Sequence, residues 1–304
     1  MLQQGAIPTD GAELYFEARG EGPPVLLIQG GVSEAGATEQ LADALARRYQ
    51  VITYDRRGLS RSTVSTDVPI TMARHADDAG ALLAAVATQP ARVVGVSIGA
   101  LIGLHLVVQH PDRVDVLVAH EPPMSAVVPD GVQEEALDTV AALARKDVWA
   151  AIRHMVALTN GEGSREEGAR SPDPIGDLGA NLHRFFGYDF PAVRSSTLDS
   201  AGLAGVPEST AIIPTGGAES RGQWEYRCAS TLAHQLGREL VEMPGGHNGL
   251  VSHPQATAAA LMRLFSEPTH ENFLSDLVVR GVLENPTSGS HRSDGKPGHS
   301  ESIG

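Results

Sequence analysis

Four short runs, residues 25–28, 50–54, 92–96 and 114–119, are largely apolar, and helical patterns at 39–48, 72–86 and 101–109 separate them. These runs do not alternate polar with apolar. A strand that is apolar on both sides must be covered on both sides, which is the condition of a buried parallel sheet. Parallel neighbours also need a crossover connection, and a helix supplies it. This rhythm predicts an α/β fold with a mostly parallel central sheet flanked by helices. Residues 13–18 fit an edge strand paired through the Gly20–Gly22 turn.

The rhythm breaks between about Pro122 and Pro207. Apolar strands vanish there, helical patterns run over 133–144 and 148–158, and a loop rich in Gly, Glu and Ser covers 161–177. The region reads as a helical cap inserted over the sheet, and Trp149, Phe185, Phe186, Tyr188 and Phe190 are its candidate pocket walls. Strand and helix patterns then resume, with strands at 210–213 and 239–243 and helices at 226–236 and 257–265. Residues 1–121 and 208–266 are therefore expected to form the core, with 122–207 as the cap. A further helix is expected over 267–285. Residues 286–304 carry almost nothing apolar and are expected to be a disordered tail.

The chain of 304 residues suits one domain with an insertion, or two small domains, and its 41% of hydrophobic residues can fill a core. Twenty-three basic against 37 acidic side chains leave a formal charge of −14. A surface that acidic repels phosphate backbones and anionic lipid, so neither nucleic acid nor membrane is an expected partner. The single cysteine, Cys228, permits no internal disulfide and no thiolate metal cluster. Residues 1–8 do not resemble a secretory signal, and no apolar run is long enough to span a bilayer, so a cytoplasmic location is expected. Oligomeric state is not readable.

Chemistry concentrates in Val93-Val94-Gly95-Val96-Ser97-Ile98-Gly99-Ala100, a G-x-S-x-G pattern with a strand before it and a helix after. A sharp strand-to-helix turn there lifts the Ser97 hydroxyl above the sheet, over a helix N-terminus. A serine hydroxyl needs a base to become a nucleophile at neutral pH. Among 12 histidines, His247 is the best placed, in a glycine-flanked loop just after the strand ending at Met243. His253, six residues on, is a weaker rival, and His120 ends a strand on the same edge of the sheet.

The base in turn needs an anion to hold its tautomer. Glu219 follows the strand at 210–213 and precedes His247 by 28 positions, which gives the order Ser97, Glu219, His247. The rival is Glu121, at the end of the strand that follows the nucleophile helix. Acyl transfer also requires backbone donors for an oxyanion. Ile98 supplies one, and Gly31 (or its neighbour Val32) supplies the other. No dinucleotide or Walker pattern is present, and neither a cofactor nor a metal is called for.

Taken together, Gly30-Gly31, Tyr54-Asp55-Arg56-Arg57-Gly58-Leu59-Ser60-Arg61-Ser62, Gly95 to Gly99 and Gly246-His247 resemble the α/β-hydrolase family over residues 13–266. The second stretch is similar to the family's D-x-R-G-x-G-x-S signature, with Ser60 where glycine is common. The resemblance implies that Asp55 and Arg57 hold structure. Gln29 stands where the family often has histidine, and a glutamate stands where aspartate is more usual. The expected activity is that of a serine hydrolase acting on an ester, lactone or amide bond of a small, largely apolar molecule. Family members that run cofactor-free oxidation, carbon–carbon cleavage or cyclisation define the alternative, with His247 as base and no acyl-enzyme. A non-catalytic binding protein is the third reading.

Overall fold

The computed structural model describes residues 2–65, 70–159, 163–173 and 176–266, all within one compact unit. The helix expected over 267–285 and the tail expected over 286–304 lie outside the described residues.

Among the described residues nine strands form one sheet. They are β1 (Leu2–Thr9), β2 (Ala12–Arg19), β3 (Pro24–Ile28), β4 (Gln50–Tyr54), β5 (Thr63–Val64), β6 (Ala91–Val96), β7 (Val114–His120), β8 (Ala211–Gly217) and β9 (Val241–Met243). Their order is β1-β2-β4-β3-β6-β7-β8-β9, with the short β5 paired to β2. From β4 to β9 every pairing is parallel, and β1, β2 and β5 pair antiparallel.

The interleaved helices are α1 (Glu39–Leu45), α2 (Met72–Val86), α3 (Ile98–Gln109), α4 (Gly131–Ala144), α5 (Val148–Leu158), α6 (Leu178–Arg184), α7 (Phe190–Arg194), α8 (Trp224–Gln235), α9 (Gly249–Ser252) and α10 (Pro254–Leu264). A π-helical turn, Phe185–Asp189, joins α6 to α7.

The apolar strands are explained by what covers them. Leu26 and Ile28 of β3 pack into a cluster with α2 and α3, whereas Val25 and Leu27 pack into a second cluster with α1 and α10. All four side chains are buried. Each contributes roughly 1.5–3 kcal/mol by leaving water, which ties the sheet to helices on both faces.

The structure corrects two expectations. Residues 13–18 belong to β2, which is not the edge: β1 lies outside it, and the turn at Gly20–Gly22 leads to β3, from which β4 separates β2. β1 carries Gln3, Gln4 and Gly5 and is mostly exposed, so it gave no apolar signal. The strand expected to end at residue 213 runs on to Gly217, because Thr215, Gly216 and Gly217 pair with β9.

Between β7 and β8 the described residues form α4 to α7 and no strand. Asp130, Asp147 and Asp177 cap α4, α5 and α6 by accepting hydrogen bonds from amides of the first turn. Phe185, Phe186 and Phe190 pack edge-on or tilted against one another and anchor this helical segment to the main core.

Candidate active site

Ser97 sits between β6 and α3 with φ 55° and ψ −124°, a left-handed conformation that costs a non-glycine residue about 1–3 kcal/mol. The strand before it and the helix after it hold it there. The Ser97 amide donates to the carbonyl of His120 on β7 at 2.9 Å, and the Ser97 carbonyl accepts from Ala100 and Leu101 in the first turn of α3. The flanking glycines are required by close approach: a Cβ on Gly95 would overlap the Gly99 carbonyl, and one on Gly99 would overlap the carbonyl of Ile28.

His247 lies in the loop after β9. Its Nδ1 is 2.7 Å from Oε2 of Glu121. A carboxylate only accepts, so Nδ1 carries the proton and Nε2 is left with its lone pair. The acid that meets His247 is therefore Glu121 and not Glu219.

Glu121 follows β7 directly and is fully buried, with φ 50°. Its amide donates to the Thr215 carbonyl at 3.0 Å. Its Oε1 accepts from the Gly217 amide at 2.8 Å and from the Ser220 hydroxyl. Both carboxylate oxygens are thus satisfied. Burial alone pushes the Glu121 carboxyl up, but the hydrogen bond from His247, the charges of the two neighbouring histidines and the Ser220 hydroxyl outweigh it and hold it at about 2. For His247, burial works downward, and the Glu121 hydrogen bond with the charges of Glu225 and Glu121 reverses it, leaving the imidazole above its ordinary value.

Glu219 is exposed and turned elsewhere. Its carboxylate accepts from the amide of Ser164 at 3.0 Å and from the Ser164 hydroxyl. That serine's hydroxyl is also 3.3 Å from His253 Nε2, which places the weaker rival base in the same surface cluster. His120 is buried beside the site. Its Nε2 donates to the Gly246 carbonyl at 3.3 Å, so Nδ1 accepts from the Thr215 hydroxyl at 3.1 Å. Burial pulls its proton affinity down, and through these two contacts it ties the His247 loop to β8.

Gly31, Val32, Ser97, Ile98 and His247 line one cavity of about 240 Å³. Gly31 has φ 45°, and its carbonyl accepts from the Arg56 guanidinium, which also donates to the Gln29 carbonyl at 2.9 Å. Arg56 is buried and lies 3.4 Å from Asp189 in the π-helical turn, and His75 Nε2 meets the same carboxylate at 3.1 Å. Arg56 thus joins the glycine loop to the helical segment, a link that no sequence pattern signalled. Gln29 is buried and donates to the Thr38 hydroxyl at 2.8 Å. Asp55 accepts from the Ala35 amide at 2.8 Å and pairs with Arg61, and Arg57 pairs with Asp78 at 2.6 Å.

Much of the remaining cavity wall is apolar. Phe185 and Phe190 line it, as do Leu137, Ile152 and Trp224, whereas Phe186 is buried in the core and Trp149 and Tyr188 are exposed. Trp224, at the start of α8, was not among the aromatic residues singled out from the sequence. Among the described residues no group of three or more His, Cys, Asp or Glu is placed to hold a metal ion. None of the described helices is long and apolar enough to cross a membrane. Cys228 is buried, and burial pushes its thiol up to about 12 despite a contact with the Met124 carbonyl, so it is inert.

A family model described as alpha/beta hydrolase fold matches residues 23–158. The uncharacterized hydrolase YraK of Bacillus subtilis (strain 168) is 34% identical over 273 residues, covering 89% of this chain and 96% of that protein. The chain belongs to the α/β-hydrolase family. It is an enzyme of the hydrolase class. RutD of Caulobacter sp. (strain K31), which carries a provisional carbamate hydrolase name, is 29% identical over 87% of this chain and 98% of its own length. An α/β hydrolase from Sphaerobacter thermophilus DSM 20745 superposes with a TM-score of 0.63 at 26% identity, over 86% of this chain and all of that one. ALR0039 from Nostoc sp PCC 7120 superposes with a TM-score of 0.70 at 18% identity, over 88% of this chain and 99% of its own, a likeness of fold.

Proposed function

We propose that this α/β hydrolase cleaves an ester, lactone or amide bond of a small, largely apolar molecule through an acyl-enzyme on Ser97. The carrying observation is the 2.7 Å contact between buried Glu121 and Nδ1 of His247, which lines the same cavity as Ser97. Glu121 fixes the tautomer, so Nε2 is the basic nitrogen. Ser97 Oγ attacks the carbonyl carbon as its proton passes to His247 Nε2. The oxyanion takes hydrogen bonds from the amides of Ile98 and Gly31, aided by the N-terminus of α3. Collapse expels the leaving group with the proton from His247. Water, deprotonated by His247, then attacks the acyl carbon and releases the acid and free Ser97.

Residues 122–207 act in this reading as the cap that supplies the apolar wall. Carbamates, the chemistry named for the RutD relatives, fall within the same acyl-transfer scheme.

The test is labelling by a small fluorophosphonate, read by intact and peptide mass. One adduct on Ser97 is expected. It is absent from Ser97→Ala and slowed by about a thousandfold in His247→Ala. Folded protein that takes up no label from a probe small enough to enter the cavity overturns the acyl-enzyme.

A further inference from the structure

The cavity contains a second carboxyl group that the acyl-transfer scheme does not use. Glu225 lies in the first turn of α8, lines the cavity with Ser97 and His247, and is 8% exposed. Among the described residues no side chain donates to it or pairs with it, and the hydrogen bond it receives comes from its own amide. It shares the cavity wall with His247, whose proton affinity its charge raises.

A largely buried carboxyl without a side-chain partner is costly unless something fills its hydrogen-bonding capacity. Burial pushes Glu225 up against the opposing pull of His247, in line with that cost. Cations in the vicinity give little relief: Arg227, whose charge reaches Glu225, pairs with Asp130 at 2.6 Å. Arg194 also lines the cavity, but it is held by Glu134 at 2.9 Å and by Asp138 at 2.7 Å. The described side chains leave this capacity unfilled, and a donor on a bound substrate can fill it.

We propose that Glu225 recognises a hydrogen-bond-donating group on the substrate, a hydroxyl, an amide N–H or, most strongly, an ammonium, next to the bond that Ser97 attacks. The substrate is then an otherwise apolar ester or amide with one such donor. Substrates with a free carboxylate at that position are disfavoured, because Glu225 repels them. The proposal rests on the acyl-enzyme reading for its geometry, and its test separates the two.

Four alkyl fluorophosphonates of equal length, ending in methyl, hydroxyl, ammonium and carboxylate, are compared by their second-order rates of labelling Ser97. The wild type is expected to react about tenfold or more faster with the ammonium probe than with the methyl probe, as a charge-assisted hydrogen bond implies, and slowest with the carboxylate. Glu225→Gln keeps the shape and part of the hydroxyl preference while losing the ammonium preference. Glu225→Leu inverts the order in favour of methyl. Each variant is judged by its own ratio of rates, so a general loss of reactivity cancels.

The same order of the four probes in wild type and both variants overturns the proposal while leaving the acyl-enzyme intact. A wild type that no probe labels sinks the acyl-enzyme instead, and recognition is then read from thermal unfolding with added butylammonium. In that case an upward shift in wild type that vanishes in Glu225→Gln supports the recognition role. An equal shift in both, or none in either, refutes it.

Discussion

Glu121 and Glu219 both lie just past the ends of neighbouring strands, β7 and β8, of the same sheet, yet they occupy opposite environments. Glu121 is fully buried, left-handed in backbone, and meets donors at both oxygens. Glu219 is exposed and spends its carboxylate on Ser164 of the segment between β7 and β8. Which carboxylate serves a histidine is decided by burial and register rather than by chain order.

Register supplies the reason. His120 pairs with Val96 across the β6–β7 ladder, so Glu121 comes level with Ser97. β8 instead continues through Gly216 and Gly217, and Glu219 emerges beyond the sheet. The largest expected effect follows from this contrast. Glu121→Gln leaves His247 without an anion and is expected to lower kcat/KM by roughly a thousandfold to ten-thousandfold. Glu219→Gln stays within about twofold. Steady-state rates on any ester that the enzyme turns over check both, and equal losses would erase the distinction.

The pH dependence sharpens the same contrast. His247 acts only when neutral, and its proton affinity is raised, so the acid limb of kcat/KM is expected above pH 6.5. Removing Glu121 takes away the main upward influence while burial still presses downward. The limb of Glu121→Gln therefore moves to lower pH, and that of Glu219→Gln does not move. Stability carries a second signature. Glu121 is held at about 2, below its ordinary value of 4.5, so its contribution is complete above pH 4.5 and is lost as pH falls from there towards 2. The loss is on the order of 3 kcal/mol. Urea unfolding in that window is expected to fall more steeply for the wild type than for Glu121→Gln.

Ser220 tests whether satisfaction of the carboxylate matters as much as its placement. Its hydroxyl is buried and donates to Glu121. Ser220→Ala keeps the His247 contact and removes one donor from a buried anion, at an expected cost of about 1–3 kcal/mol in unfolding free energy. A variant as stable as the wild type would show that the Gly217 amide suffices.

Much of this arrangement was legible in the chain. The continuous apolar runs led to the parallel sheet, because strands covered on both faces cannot alternate. Gly95 and Gly99 marked the turn at Ser97, since only glycine fits those approaches. The glycine-flanked His247 fell in the loop after β9 as expected. Glu121 was harder to rank because its advantage is long-range: the Gly217 amide and the Ser220 hydroxyl that serve it lie 96 and 99 residues away. A clue existed in composition. Glu121 ends a largely apolar strand, whereas Glu219 stands among Gly, Ser and Arg in a polar turn. β1 and the link from Arg56 to Asp189 left no local trace, because one is polar and exposed and the other joins residues 133 positions apart.

The smallest effect belongs to the Glu219 corner. Ser164→Ala removes the hydroxyl that meets Glu219 and approaches His253, but keeps the amide contact at 3.0 Å. The cluster is exposed, where hydrogen bonds and charges exchange readily with water, so unfolding free energy is expected to change by less than about 1 kcal/mol. Turnover should stay within about twofold, since no member of the cluster lines the cavity of Ser97 and His247. A much larger loss of turnover at unchanged stability would show that tethering Ser164 to Glu219 sets the position of the helical segment over Ser97. The exposed carboxylate would then act on catalysis through the cap rather than through the histidine.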